Sequence, residues 1–150
     1  MIVLPMPLVV MRPYLTVVMV FVCWLQGAGV VSAAGDLGVS WSGMSKSGKY
    51  LAVLHSDSNP VAIGSFLRWK VSIEDTQGNK VNGLSIRVVG GMPGHRHGMP
   101  SSPKVTPGEG TGEYLIKGLK FSMAGEWVVV VHFESTEIKD QVTLPIILEY

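Results

Sequence analysis

The densest group of candidate metal ligands in the chain is the stretch GGMPGHRHGMP, residues 90–100. It contains two histidines, His95 and His97, and two methionines, Met92 and Met99. Imidazole binds copper, zinc, nickel and iron, whereas a thioether selects strongly for Cu(I). The stretch has no cysteine and no carboxylate. Its composition therefore fits copper best.

The glycines and prolines of this stretch predict an irregular loop, because they permit or impose backbone angles that regular elements do not use. In an extended segment, residues two apart point to the same side. The spacing thus predicts that His95 and His97 present both imidazoles to one ion while Arg96 points away. A plainer interpretation stays open: Met92 can be a core side chain, the loop an ordinary exposed turn, and Arg96 a charge that opposes cation binding.

Four further residues have side chains that could bind or support a ligand. Met123 lies in a turn after a predicted strand, where it can either approach the loop or cap the core. His55 and His132 lie on predicted strands and are weaker candidates, since a half-exposed strand position explains each of them as well. We expect Trp127, like the other strand tryptophans, to belong to the core rather than to a binding platform.

The sequence offers little support for an enzyme or a nucleic-acid-binding protein. It has no Ser-His-Asp order, no glycine-rich phosphate loop after a strand and no His-Glu-x-x-His helix. A single loop does not provide the converging polar groups of a catalytic pocket, so we expect no enzymatic activity. Twelve Lys and Arg residues stand against eleven Asp and Glu without any charged block. Nucleic acid is therefore not an expected partner.

The first 34 residues have the order of charge and hydrophobicity that is typical of a secretory signal peptide. Arg12 is their one charged residue, YLTVVMVFVCWL follows as an apolar run, and GAGVVSAAG supplies small residues for cleavage on either side of Ala34. A retained membrane anchor is the alternative, because residues 14–31 are barely long enough to span a bilayer. Both interpretations predict an exported protein, periplasmic or extracellular, that contacts the membrane only through this segment if it is uncleaved.

Residues 35–150 contain no cysteine, since Cys23 is the only one in the chain. Disulfides and thiolate zinc sites are therefore excluded from this part. About seven short strands with regularly spaced turns, and no helical period, predict an all-β fold: an antiparallel β-sandwich that is immunoglobulin-like in outline. Gly118 interrupts the alternation of one strand and predicts a bulge. Pro145 places the last strand at an edge or a bulge.

The alternation of apolar and polar residues identifies the faces that point into the core. It is clearest in FLRWKVSIED, residues 66–75, and it recurs in three later segments. The positions predicted to point inward are Leu67, Trp69, Val71 and Ile73, then Leu84, Ile86 and Val88, then Trp127, Val129, Val131 and Phe133, and finally Val142, Leu144, Ile146 and Leu148.

The segments GGMPGHRHGMPSSPKVT and GEGTGEYLIKGLKFSMAGEWVVVVHFE resemble the YtkA-like domain, whose relatives include the FixH-type proteins. The resemblance covers about the last two-thirds of the part predicted to be exported. It implies an immunoglobulin-type sandwich, exported or membrane-anchored, and a role in copper handling, with which members are often associated. It also supports Met123 as a candidate ligand, because that position belongs to the shared pattern. The matching residues are Met92, Pro93, His95, His97, Gly98, Met99 and Pro100, then Gly112, Tyr114, Gly118, Leu119, Phe121, Met123, Gly125 and Trp127.

Two hypotheses of different classes follow. In the first, the protein is an exported copper-binding protein that accepts, stores or hands on copper to an acceptor. His95 and His97 are then the principal ligands, and Met92, Met99 or Met123 completes the set. In the second, it is a non-metal interaction module that docks on another envelope protein through the loop. The histidines are then contact residues or pH-sensitive groups.

Overall fold

The chain divides into two units, Met1–Ala33 and Ala34–Tyr150, and the computed structural model describes residues 38–149. The segment predicted as a signal peptide or anchor, residues 1–34, lies outside the described residues and stays a prediction. Within residues 38–149 no helix combines the length and the apolarity that crossing a bilayer requires.

Nine β-strands and one short 3₁₀ turn make up the regular structure of residues 38–149. The strands are β1 (Ser40–Met44), β2 (Tyr50–Ser56), β3 (Leu67–Asp75), β4 (Ser85–Met92), β5 (His97–Gly98), β6 (Lys104–Pro107), β7 (Glu113–Leu119), β8 (Gly125–Glu134) and β9 (Lys139–Leu148). The 3₁₀ turn, Pro93–His95, joins β4 to β5.

The strands form two antiparallel sheets. One has five strands in the order β1-β2-β3-β7-β6, and the other has four in the order β5-β4-β8-β9. The prediction of an antiparallel β-sandwich is confirmed. The structure has nine strands in residues 38–149, where about seven were predicted. The two additional strands are Ser40–Met44, which pairs as an edge strand, and the two-residue strand His97–Gly98.

The core lies between the sheets and includes most of the side chains that the alternation assigned inward. Leu67 and Ile86 are half-buried and pack against it. Each fully buried aliphatic or aromatic side chain contributes about 1.5–3 kcal/mol of transfer free energy. The inward positions that are buried are Trp69, Val71, Ile73, Leu84, Val88, Trp127, Val129, Val131, Phe133, Val142, Leu144, Ile146 and Leu148.

Both predicted irregularities of the strands are present. Gly118 has a φ of 84° and is the extra residue where Leu67 pairs with Leu119 but Arg68 pairs with Lys117. This is a bulge, and the left-handed φ explains why glycine occupies it. Pro145 lies in β9, the edge strand of the four-stranded sheet, where its missing N–H leaves no interior ladder bond unmade.

Candidate metal site at the His/Met turn

The candidate ligands lie on a tight hairpin at one end of the four-stranded sheet. β4 ends at Met92, the 3₁₀ turn follows, and Arg96 takes a left-handed conformation with φ 55° and ψ 28°. The chain then returns as β5, in which Gly98 pairs with Gly91 and His97 with Met92. The prediction of an extended stretch through the two histidines is wrong, because the left-handed residue between them reverses the chain.

The two imidazoles nevertheless lie side by side on this hairpin. The ring centroids of His95 and His97 are 5.9 Å apart, with an angle of 49° between the planes, and both side chains are exposed. Two imidazoles that share one ion have centroids about 5 to 6.5 Å apart, given metal–nitrogen bonds of about 2.0–2.1 Å. The observed separation therefore allows both rings to contact a single ion.

The orientation of His97 is set by two contacts. Its Nδ1 lies 3.1 Å from the backbone oxygen of Gly98. A carbonyl oxygen only accepts, so Nδ1 donates this hydrogen bond, and in the neutral ring the lone pair then belongs to Nε2. The ring also packs edge-on against Trp127, with centroids 5.9 Å apart and an interplanar angle of 73°. A hydrogen bond of this kind, on the nitrogen that does not face the ion, commonly orients histidine ligands of metals.

Trp127 connects the turn to the core and to the Met123 segment. Its side chain is 1% exposed, and its Nε1 donates to the backbone oxygen of Met123 over 3.1 Å. It also contacts Phe121 at 5.1 Å between centroids. The prediction that Trp127 is a core residue is confirmed. Its contact with His97 was not predicted, because thirty residues separate them; the available signal was that both belong to the YtkA-like pattern.

The thioether groups lie in or against the core, and one of them neighbours His97. Met92 stands directly opposite His97 in the β4–β5 pair, and such cross-strand neighbours have Cβ atoms about 4.5–5.5 Å apart. Met92 is 2% exposed. Met99 and Met123 are half-buried, and all three methionines belong to the core or pack against it. Met92 is therefore a core side chain, as the plainer interpretation has it. Met92 is also the neighbour of His97 across the strand pair.

Two glycines allow β5 to lie against β4. A Cβ on Gly91 would stand 2.7 Å from the backbone oxygen of His97, and a Cβ on Gly90 would stand 2.8 Å from Cε of Met99. The backbone oxygen of Gly90 also accepts the N–H of Met99 over 2.7 Å. Glycine is thus required here for close approach, whereas the sequence indicated only conformational freedom.

The two weaker histidine candidates lie away from the turn. His55 is on β2 in the other sheet, where its Nδ1 is 2.7 Å from Oγ of Ser40. His132 lies five residues along β8 from Trp127, a distance of about 17 Å in a strand. It lines a groove of about 500 Å³ on the outer side of the four-stranded sheet. Burial lowers the pKa of His132, and the nearby Arg87 guanidinium lowers it further. Neither histidine can join the imidazoles of the turn.

The donor set at the turn is small. In the part of the chain that the structure describes, no three His, Cys, Asp or Glu side chains gather in a way that could hold a metal ion. An ion at the turn would therefore depend on the two imidazoles together with thioether sulfur or with donors from another molecule. That combination suits Cu(I), which accepts thioether readily.

Together these features define an all-β sandwich domain with the His/Met turn, the hairpin of residues 92–99, at one end of its four-stranded sheet. A family model described as YtkA-like matches residues 44–132, which is more than half of the chain. The chain therefore belongs to the YtkA-like family, and the match includes the whole hairpin and Trp127. No curated protein and no solved structure matches it.

Proposed function

We propose that this chain is an exported copper-binding protein that accepts copper at the His/Met turn and hands it on. The observation that carries the proposal is the pair of imidazoles with centroids 5.9 Å apart. Nε2 of His97 is available for ligation because Nδ1 bonds to Gly98. Met92 is the cross-strand neighbour of His97, so its side chain lies on the same face of the hairpin. We assign the protein no catalytic step.

The chemistry of these donors favours Cu(I) as the cargo. Imidazole alone does not distinguish copper from zinc or nickel, but sulfur from Met92, Met99 or Met123 would, because thioether is a soft ligand. The exposed histidines are accessible to an incoming acceptor, whereas the thioethers are packed in or against the core. Such a site can release its ion when an acceptor displaces the imidazoles.

Competition titration of residues 35–150 with a Cu(I) chelator tests this proposal. The variant that combines His95→Gln with His97→Gln should lose affinity by at least about 10- to 100-fold, the loss typical even of outer-shell partners. The matched control combines His55→Gln with His132→Gln, which removes the same number of imidazoles elsewhere. Equal affinities of the two double variants would show that the turn is not the copper site.

Leucine replacements separate the contribution of the thioethers. Met92→Leu and Met99→Leu nearly conserve volume, so each should cost less than about 1.5 kcal/mol of stability. A sulfur ligand predicts a selective loss of Cu(I) affinity, with Zn²⁺ affinity little changed, because only the soft ion depends on sulfur. If Cu(I) affinity is unchanged in both variants, these methionines serve only in packing.

A second candidate function, docking on another envelope protein, is favoured by the surface next to the turn. Outward-facing Val89, Val128 and Val130 line a groove of about 280 Å³ that also includes Arg96 and His97. The exposed side of an antiparallel sheet is usually polar, so three valines there are unexpected. Val130→Lys should abolish binding of a docking partner but leave Cu(I) affinity intact. His95→Gln, at a residue outside this groove, should do the reverse if copper is the cargo.

A further inference from the structure

The outer face of the five-stranded sheet carries a row of like charges. Arg68 on β3 pairs with Lys117 on β7, and Lys117 pairs with Lys104 on β6. Three cations thus stand directly opposite one another on three adjacent strands, with Cβ separations of about 4.5–5.5 Å. Lys70 follows two residues after Arg68 and faces the same side. All four side chains are exposed.

The carboxylates that the structure describes near these cations do not form ion pairs with them. Among residues 38–149 the ion pair with nitrogen and oxygen within 4.0 Å is Lys80–Glu74, which does not include any of them. Asp57, Glu109 and Glu113 line the groove of about 530 Å³ that Arg68, Lys70 and Lys117 also line, but none of the three forms an ion pair with these cations. Lys104 lies outside that groove. Like charges directly opposite each other on a sheet are destabilising. The row therefore lowers the stability of the domain unless an anion outside it contributes.

An exposed aromatic ring adjoins the row. Phe66, immediately before β3, is 72% exposed, and Nζ of Lys120 lies 4.9 Å from its ring centroid. Phe66 precedes Arg68 by two residues, and Lys120 follows Lys117 by three. The ring and the fifth cation thus lie at the same end of the strands as the row.

We propose that this basic face, formed by Phe66, Arg68, Lys70, Lys104, Lys117 and Lys120, binds the surface of a bilayer containing anionic phospholipid. The row pairs with phosphate groups, and Phe66 enters the boundary between headgroups and acyl chains. Lysine and arginine stems that flank an apolar ring while their charged ends reach phosphate are typical of such boundaries. The exposed ring favours a lipid surface over an acidic protein, which the charges alone would not distinguish. This inference does not depend on copper binding.

A fluorescent label near the ring tests the proposal in the full chain. Cys23 is the only cysteine, so Cys23→Ser with Ser65→Cys allows an environment-sensitive dye to be attached beside Phe66. Thr143→Cys in the same background is the control, because Thr143 is exposed on the other sheet. The dye at position 65 should shift its emission on phosphatidylglycerol–phosphatidylcholine vesicles but not on phosphatidylcholine alone. The shift should diminish at about 0.5 M salt, where the Debye length is about 4 Å.

Charge removal measures the contribution of the row. The measured quantity is the concentration of anionic lipid that gives half of the maximal emission shift. Lys104→Gln with Lys117→Gln should raise this concentration by about 25-fold, or about fivefold per charge. Lys46→Gln with Lys139→Gln is the matched control, since both lysines line the groove of the opposite sheet. Its effect on vesicle binding should be much smaller. Thermal unfolding should show that both variants are folded, and Lys104→Gln with Lys117→Gln should be no less stable than the unsubstituted chain, because it removes two cations that stand opposite each other.

Three results would overturn the proposal. The dye at position 65 could fail to respond to phosphatidylglycerol, or respond no more than the dye at position 143. The two double lysine variants could lose vesicle binding equally, which would indicate net charge rather than this face. Finally, a polyglutamate peptide could bind the face while vesicles do not, which would make the ligand an acidic polypeptide.

Discussion

If the turn binds copper as proposed, the Gly91→Ala substitution should weaken that binding without unfolding the domain. A Cβ at this position would stand 2.7 Å from the backbone oxygen of His97 and 3.2 Å from Cα of Gly98. Ordinary van der Waals contact begins at 3.4 Å. The obstacle is backbone rather than a flexible side chain, so β5 has to move away from β4, and His97 moves with it.

The size of the expected loss in affinity follows from the backbone hydrogen bonds that hold β5 against β4. This strand is attached through the pairs of Gly91 with Gly98 and Met92 with His97, and through the bond from Met99 to Gly90. Losing two backbone hydrogen bonds at about 0.5–1.5 kcal/mol each gives about 1–3 kcal/mol. Because the ion would then have to order the hairpin as it binds, affinity should fall by about 5- to 150-fold. The core between the sheets is not involved, so the domain should stay folded, with its free energy of unfolding lowered by no more than the same amount, about 1–3 kcal/mol.

Cu(I) competition and amide hydrogen exchange measure the two halves of this prediction. Exchange at the N–H of Met99 should accelerate in Gly91→Ala even without metal. Gly94→Ala is the control in the same turn, because a Cβ there has no atom within 4 Å and its φ is not left-handed. Unchanged affinity and exchange in Gly91→Ala, or an equal loss in Gly94→Ala, would refute the idea that close approach of β5 builds the site.

Two further predictions concern stability. The buried Tyr114 hydroxyl donates to one backbone carbonyl and accepts one backbone N–H, so Tyr114→Phe should cost about 1–3 kcal/mol in urea unfolding. Tyr50→Phe, at a half-buried ring whose hydroxyl makes no hydrogen bond within residues 38–149, should change stability by less than about 0.5 kcal/mol. Burial and Arg87 lower the pKa of His132 from 6.5, so the unfolded chain binds the proton more readily. Stability should therefore be lost as the pH falls from about 6.5 through the folded-state pKa, and His132→Gln should flatten this part of the stability profile.

The faces of the strands could be predicted because they depend on local sequence. In an antiparallel sandwich each strand buries one side, so apolar residues recur with a period of two. Residues 66–75 and 127–133 follow that period without interruption, and their inward positions form the core. Gly118 and Pro145 could be interpreted as well, since a bulge and an edge strand are the positions that tolerate them.

The turn could be predicted in composition but not in shape. Its glycines and prolines indicate an irregular backbone, yet the same residues are compatible with an extended loop and with a hairpin. The reversal depends on the left-handed conformation of Arg96, which few non-glycine residues adopt. It also depends on pairing between Met92 and His97, which is a tertiary contact. The proximity of the imidazoles was therefore predicted for a reason that the structure does not support.

The basic row depends on a second feature that could not be predicted from the sequence, which is the register between neighbouring strands. Alternation placed Arg68 and Lys70 on the outer side of their strand, but it does not say which residue of a neighbouring strand stands opposite. The bulge at Gly118 shifts that alignment by one residue and brings Lys117 against Arg68. A charge distribution that is nearly balanced along the chain thus becomes uneven on the folded surface.

The two kinds of candidate ligand belong to parts of the structure that are held very differently. His95 and His97 stand on a hairpin fixed by a few backbone bonds, whereas Met92 lies in the core. Opening the hairpin costs about 1–3 kcal/mol, far less than unfolding a domain, which takes about 5–15 kcal/mol. An acceptor could therefore detach both imidazoles from an ion while the sandwich and its thioether stay in place. For a carrier this arrangement separates retention from release: the core fixes one donor, and the hairpin supplies donors that a partner can displace.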